Sequence, residues 1–511
     1  MHRCLLILEI VQSILSMIGQ PKDERGRSRD PEELQEMQQC AAQIARTCRA
    51  LYDPAMDILY RELLTIEPLI KCLPRDLWKI DSVNQVLIFC RALTPDDFAL
   101  LQRNAFRVRI LGDPNIASDI DYTLGDVSYG VLNECHYNYC QDAPFCPSLR
   151  ELTWTEDRQG YNRFIELFLG QNLDKLFLMG RWTRALGDYP FHVKSPFVKT
   201  FNSTALDGGS NNIFLDAISH WRTLEVLATR MPPNEGMHYI ASSSSLKRLD
   251  IFLFPSNFEY SPAQFTARLS TLKLLALAFP VFATFLNCFS LSTRQVDLRS
   301  LEIPLAIQAQ TSFELLSSRL DRGDLHKINI GLGQDYTTQQ CEDPAFIFDF
   351  GTISPLLSFT ALRVLNLGMC LASNIDDEAL REMASSWPNL EEIMLGTNHG
   401  NTIVPAPRST HRGFLHLLER CRFLRTLEMA FDTTGVGPDQ STSHWPSKSL
   451  NTKITLLVVG NSPIQDPVAV RAFLSTVIPS LVGIFVPPTK NDLEADVNRL
   501  NMWKEVSIYL S

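Results

Sequence analysis

Cys135, His136, Cys140 and Cys146 are the residues of this chain whose types come closest to a metal-binding set. Structural zinc sites pair their ligands two to four residues apart on tight turns, whereas the steps here are one, four and six residues. An ordinary loop is expected, with no metal ion. Gly208-Gly209-Ser210 has the small residues of a phosphate cradle but not the Lys that completes one, so it reads as a turn. His399, His411 and His416 could move protons, but they straddle a loop and a helix. No Gly-x-Ser-x-Gly, no phosphate-binding loop and no His-Glu-x-x-His occurs. The chain is therefore expected to be no enzyme, with no catalytic residue and no cofactor.

The elements around these residues carry a stronger signal. An apolar residue, two residues, an apolar residue, one residue and an apolar residue recur as a phrase. Clear copies begin at Leu149, Leu246, Leu362, Leu390 and Leu424, as in Leu362-Arg363-Val364-Leu365-Asn366-Leu367. Weaker ones begin at Leu173, Leu224, Leu272, Leu298, Leu325, Ile454 and Leu481. Leu149 to Leu173 is 24 residues, Leu272 to Leu298 is 26 and Leu362 to Leu390 is 28. That period belongs to leucine-rich repeats, each a short strand and a return segment. The interval from Leu173 to Leu224, 51 residues, implies one strand that the phrase does not locate. Helices are expected between strands: Leu380, Met383, Ala384 and Trp387 fall on one face behind Asp376 or Asp377 as cap. Phe414, Leu417, Leu418, Cys421 and Phe214, Ala217, Ile218, Trp221 repeat that spacing. The fold class is α/β: a horseshoe solenoid over residues 146–511, parallel strands inside and helices outside. Residues 64–145 read as a linker with degenerate first repeats. The longer intervals place loops at Gly331–Ser354 and Thr397–Gly413, where repeat proteins add specificity.

The chain has 511 residues, 45% hydrophobic and 20% charged, with 47 basic against 57 acidic side chains. A net charge of −10 disfavours nucleic acid or an anionic membrane as partner. Scattered cysteines without a Cys-x-x-Cys, many in apolar settings such as Cys48, Cys288, Cys370 and Cys421, suit a reducing cytoplasm or nucleus. Lys22, Arg25, Arg27 and Arg29 alternate with Asp23, Glu24 and Asp30 and read as a solvated loop. The apolar stretch ending at Ile18 is broken by Glu9, Gln12 and Ser13, and Phe279–Leu291 is too short to span a bilayer.

Residues 1–63 read as helices over Leu5–Ile18, Glu32–Cys48 and Pro54–Leu64, with Pro54 at a first helical position. Within them, Ile7 to Ile18, then Ala45-Arg46-Thr47-Cys48-Arg49-Ala50-Leu51-Tyr52 and Leu59-Tyr60-Arg61-Glu62-Leu63, resemble an F-box. The chain as a whole resembles fungal F-box proteins with irregular leucine-rich repeats. Leu8 stands where that motif usually has Pro, and Tyr60 where it has Trp. The resemblance implies the substrate receptor of a cullin–RING ubiquitin ligase, with the ligase adaptor, the cullin complex and an unknown protein substrate as partners. It places Ile7, Leu8, Ile10, Ile14, Leu15, Ile18, Ile44, Ala45, Cys48 and Leu51 against the adaptor.

Substrate contacts are expected from side chains between the repeat leucines, foremost Arg150, Lys175, Arg248, Arg363, Glu392 and Arg425. Glu151, Asp174, Asp250, Asn366, Glu391, Met394 and Glu428 occupy the same face. The alternative is a ligase-independent interaction scaffold whose N-terminal helices cap the open end of the repeats.

Overall fold

The computed structural model describes residues 31–113, 122–139, 144–156, 158–179, 190–203, 214–254, 261–396, 406–437, 449–487 and 494–508. The chain forms two units, residues 1–236 and 237–511.

In the first unit, helices α1 (Pro31–Ala45) and α2 (Arg49–Arg61) precede strands β1 (Glu62–Leu63), β2 (Trp78–Ile80), β3 (Leu87–Phe89), β4 (Ile110–Leu111), β5 (Glu151–Trp154), β6 (Lys175–Leu178), β7 (Thr200–Ser203) and β8 (Val226–Arg230). β2 and β3 form an antiparallel hairpin. The others lie parallel in the order β1-β4-β5-β6-β7-β8. The middle apolar residue of each phrase stands in register with its neighbours, giving a ladder Leu63-Leu111-Leu152-Leu176-Phe201-Leu227. Every rung is buried. Parallel strands need a crossover between them, and helices or 3₁₀ turns such as Asn162–Phe168 and Leu215–His220 supply it.

The second unit carries β9 (Arg248–Leu253), β10 (Ala263–Ala276), β11 (Phe289–Ser300), β12 (Lys327–Leu332), β13 (Val364–Leu367), β14 (Glu392–Leu395), β15 (Thr426–Met429), β16 (Leu456–Val458) and β17 (Gly483–Phe485), parallel and in chain order. Its ladder is Leu249-Leu272-Val296-Ile328-Leu365-Ile393-Leu427-Leu457, fully buried throughout, so Leu272 is a middle rung and Leu298 a third place, not the openings of phrases that the spacing predicts. β10 is 14 residues and β11 is 12, because alternation of buried and open residues runs upstream of the repeat phrase through Phe265, Ala267 and Leu269. The expected helix over Asp377–Ser386 is present, and Asp376 caps it, its Oδ1 accepting from Ala379 N at 2.9 Å. Leu380, Met383, Ala384 and Trp387 are buried, as are Phe414, Leu417, Leu418 and Cys421.

Three expectations change. Pro54 does not open a helix: α2 begins at Arg49, five residues earlier, and Pro54 lies inside it. Packing decides this, since Leu51 and Ile58, seven apart on one face, both join the cluster of Leu34, Met37 and Ala41 on α1. Residues 331–354 are not a loop over a rim but short helices at Thr338–Glu342 and Phe350–Ile353. Tyr336, Cys341, Phe348 and Ile353 bury there and hold the segment down. The strand missing between Leu173 and Leu224 is β7, from the phrase Val198-Lys199-Thr200-Phe201-Asn202-Ser203. Of the segment Thr397–Gly413, residues 397–405 lie outside the described residues. Parallel strands β1 and β4 stand in the sequence before residue 146. No described helix is long and apolar enough to cross a membrane.

Candidate functional site

Strand alternation turns the residues between ladder leucines away from the core, and register lines them up across the sheet. In the second unit one such row reads Asp250, Lys273, Asp297, Asn329, Asn366, Met394 and Glu428. Asp297 is buried and accepts from Asn329 Nδ2 at 2.9 Å, while Arg299 Nε stands 3.3 Å away. Arg248 pairs with Asp250 on its own strand at 2.7 Å. Arg363, Glu391 and Arg425 precede β13, β14 and β15 at matching positions, and Arg363 Nη1 reaches Glu391 Oε1 at 3.4 Å. Glu392 opens β14, half-buried. Arg363, Glu392 and Arg425 are thus brought together, and Arg248, on β9, is not with them. The exposed pairs of this row are worth little as stability.

Arg150 and Lys175 share a groove of about 720 Å³ in the first unit. Its walls are Asp57, Ile58 and Arg61 from α2, Phe106, Arg107, Arg109 and Ile110 ahead of and within β4, and Arg150, Glu151, Asp174 and Lys175 on the next two repeats. Each acid there has a cation. Lys175 Nζ lies 2.8 Å from Glu151 Oε2, Lys199 Nζ lies 3.2 Å from Asp174 Oδ1, and Arg107 pairs with both Asp57 and Asp53. Arg109 and Arg150 form no ion pair among the described residues. Burial, then the Arg150 guanidinium, push the Arg109 pKa below its usual value; Asp57 opposes this and Arg61 adds to it.

Sequence reasoning missed Arg109, Arg107 and Phe106. The signal was present: Val108-Arg109-Ile110-Leu111 begins the same phrase, but its third apolar place holds Asp113, so the repeat went unrecognised.

The adaptor-facing residues divide. Ile7, Leu8, Ile10, Ile14, Leu15 and Ile18 lie outside the described residues. Ile44, Ala45, Cys48 and Leu51 sit at the α1–α2 corner, half-buried, with Ile44 and Leu51 packed on the cluster between the two helices. α2 runs directly into β1, and Gln38 Nε2 donates to the Glu62 carbonyl at 2.8 Å.

Two clusters bear on metal chemistry. Cys135 and Cys146 are buried thiols whose pKa rises through desolvation, to about 12 for Cys135, the reverse of what a thiolate ligand needs. Cys140 lies outside the described residues, as do Gly208-Gly209-Ser210, His399 and Arg25 to Arg29. His192, Asp216 and His220 gather their donor atoms within 4.8 Å. The two imidazoles stack at 4.2 Å with 16° between planes. Each ring's lone pair lies in its own plane, so nearly parallel planes do not meet at one ion; the Asp216 carboxylate instead faces both Nδ1 atoms, at 3.1 and 3.3 Å.

No family model matches this sequence, and no curated protein matches it. A solved structure, the crystal structure of a TLR13–ssRNA13 complex, aligns with a TM-score of 0.30 and 11% identity over 80% of this chain. The chain covers 60% of that one, under two thirds of its length, a likeness too distant to decide fold or ligand.

Proposed function

We propose that this chain is the substrate-recognition subunit of a cullin–RING ubiquitin ligase, with a helical docking module ahead of a repeat face that holds a protein substrate. The observation that carries the reading is the division between the two parts. Parallel repeats present rows of charged and amide side chains, while the helical lead keeps Ile44, Ala45, Cys48 and Leu51 partly open to solvent. Small amphipathic helices with apolar surface left over are suited to a partner's groove. Such a receptor supplies no reacting group. It holds the substrate so that a lysine amine meets a ubiquitin thioester at high effective concentration.

One observation favours the ligase-independent scaffold as a second reading. Both helices are tied to the sheet they precede, α2 through Arg107 donating to the Asp53 carbonyl at 2.9 Å and α1 through Gln38 donating to the Glu62 carbonyl, as an end cap would be. Affinity purification from the native cell, with and without a proteasome inhibitor, separates the two. The receptor reading expects adaptor and cullin in both samples and further proteins enriched by the inhibitor. Recovery of partners with neither adaptor nor cullin selects the scaffold.

A further inference from the structure

We draw no further inference here: the strongest candidate, the apolar patch that Leu456, Val482 and Phe485 expose on and beside the last two strands of the second unit, carries nothing because nothing among the described residues shows what covers it.

Discussion

The two units build the same ladder from different materials. In residues 237–511 the rungs are all aliphatic, and three of the helices beside them start on acidic or hydroxyl caps, Asp376, Thr410 and Asp466. In residues 1–236 one rung is Phe201, packed at 5.1 Å on Trp221 and 5.4 Å on Phe214, and the outer apolar places hold Trp154, Ser203 and Thr229. Both units bury charge, Asp297 beside Arg299 in the second and, in the first, Glu156, fully enclosed and held by Arg158 through two bonds of 2.7 Å. Regular aliphatic rungs make repeats interchangeable, whereas aromatic rungs make each turn specific to its neighbours. The groove and its arginines occur in the irregular unit.

The largest expected effect is on that buried pair. Arg158→Met leaves Glu156 enclosed without its cation and should cost the first unit about 3–5 kcal/mol, read as a lowered urea midpoint for residues 1–236 with the other unit's transition unmoved. A single shared transition would break the comparison.

Next comes the stitch between helices Asp377–Ser386 and His411–Arg420 in the second unit. Asp377 accepts from Thr410 N at 2.6 Å, Thr410 Oγ1 at 2.7 Å and Gly413 N at 3.0 Å. Asp377→Ala should cost about 1.5–3 kcal/mol, as for hydrogen bonds to a charged group. Gly413 is fixed by the same approach: a Cβ there would lie 2.5 Å from Asp377 Oδ1 and 3.0 Å from its Cα, so Gly413→Ala should destabilise this unit also.

Smaller is the response to pH. His326 sits below the ordinary histidine range through burial and its neighbours Arg363, Arg294 and Arg268; His411 does so through burial and Arg412. A lowered folded pKa means that the unfolded chain binds the proton first, so stability falls as pH drops through about 6.5. The second unit's midpoint should be lower at pH 5.5 than at 7.5, and His411→Gln should reduce the difference.

The weakest signal is chemical. Burial raises the Cys135, Cys370 and Cys421 pKa values to about 12, while Cys40 and Cys90 are exposed. Among the described cysteines, iodoacetamide at neutral pH should label Cys40 and Cys90 fastest and leave Cys135, Cys370 and Cys421 unlabelled, by mass spectrometry. In rising urea, labelling of Cys135 before Cys370 and Cys421 would mark the first unit as the one that opens first.

What the sequence disclosed follows the same division. Leu365, Ile393 and Leu427 were legible because leucine-like rungs carry the period openly, and Asp376 because a cap is a local signal. β7 was not, since Phe201 and Ser203 fill its core places, although Val198 lies 25 residues after Leu173 and 26 before Leu224. Of the expected contact residues, Arg150 and Lys175 were found by phrase position, but Arg109 and Phe106 depend on a strand whose phrase ends in Asp113. Pro54 misled because long-range packing of Leu51 and Ile58 outweighs a local helix-start preference.

The docking claim is tested most directly with purified chain and purified ligase adaptor, mixed and resolved by size-exclusion chromatography. The account predicts a stable complex with the native chain and none with Ile14→Asp plus Leu15→Asp, while the variant keeps its circular dichroism. A native chain that elutes apart from the adaptor, or a variant that still elutes with it, contradicts the account.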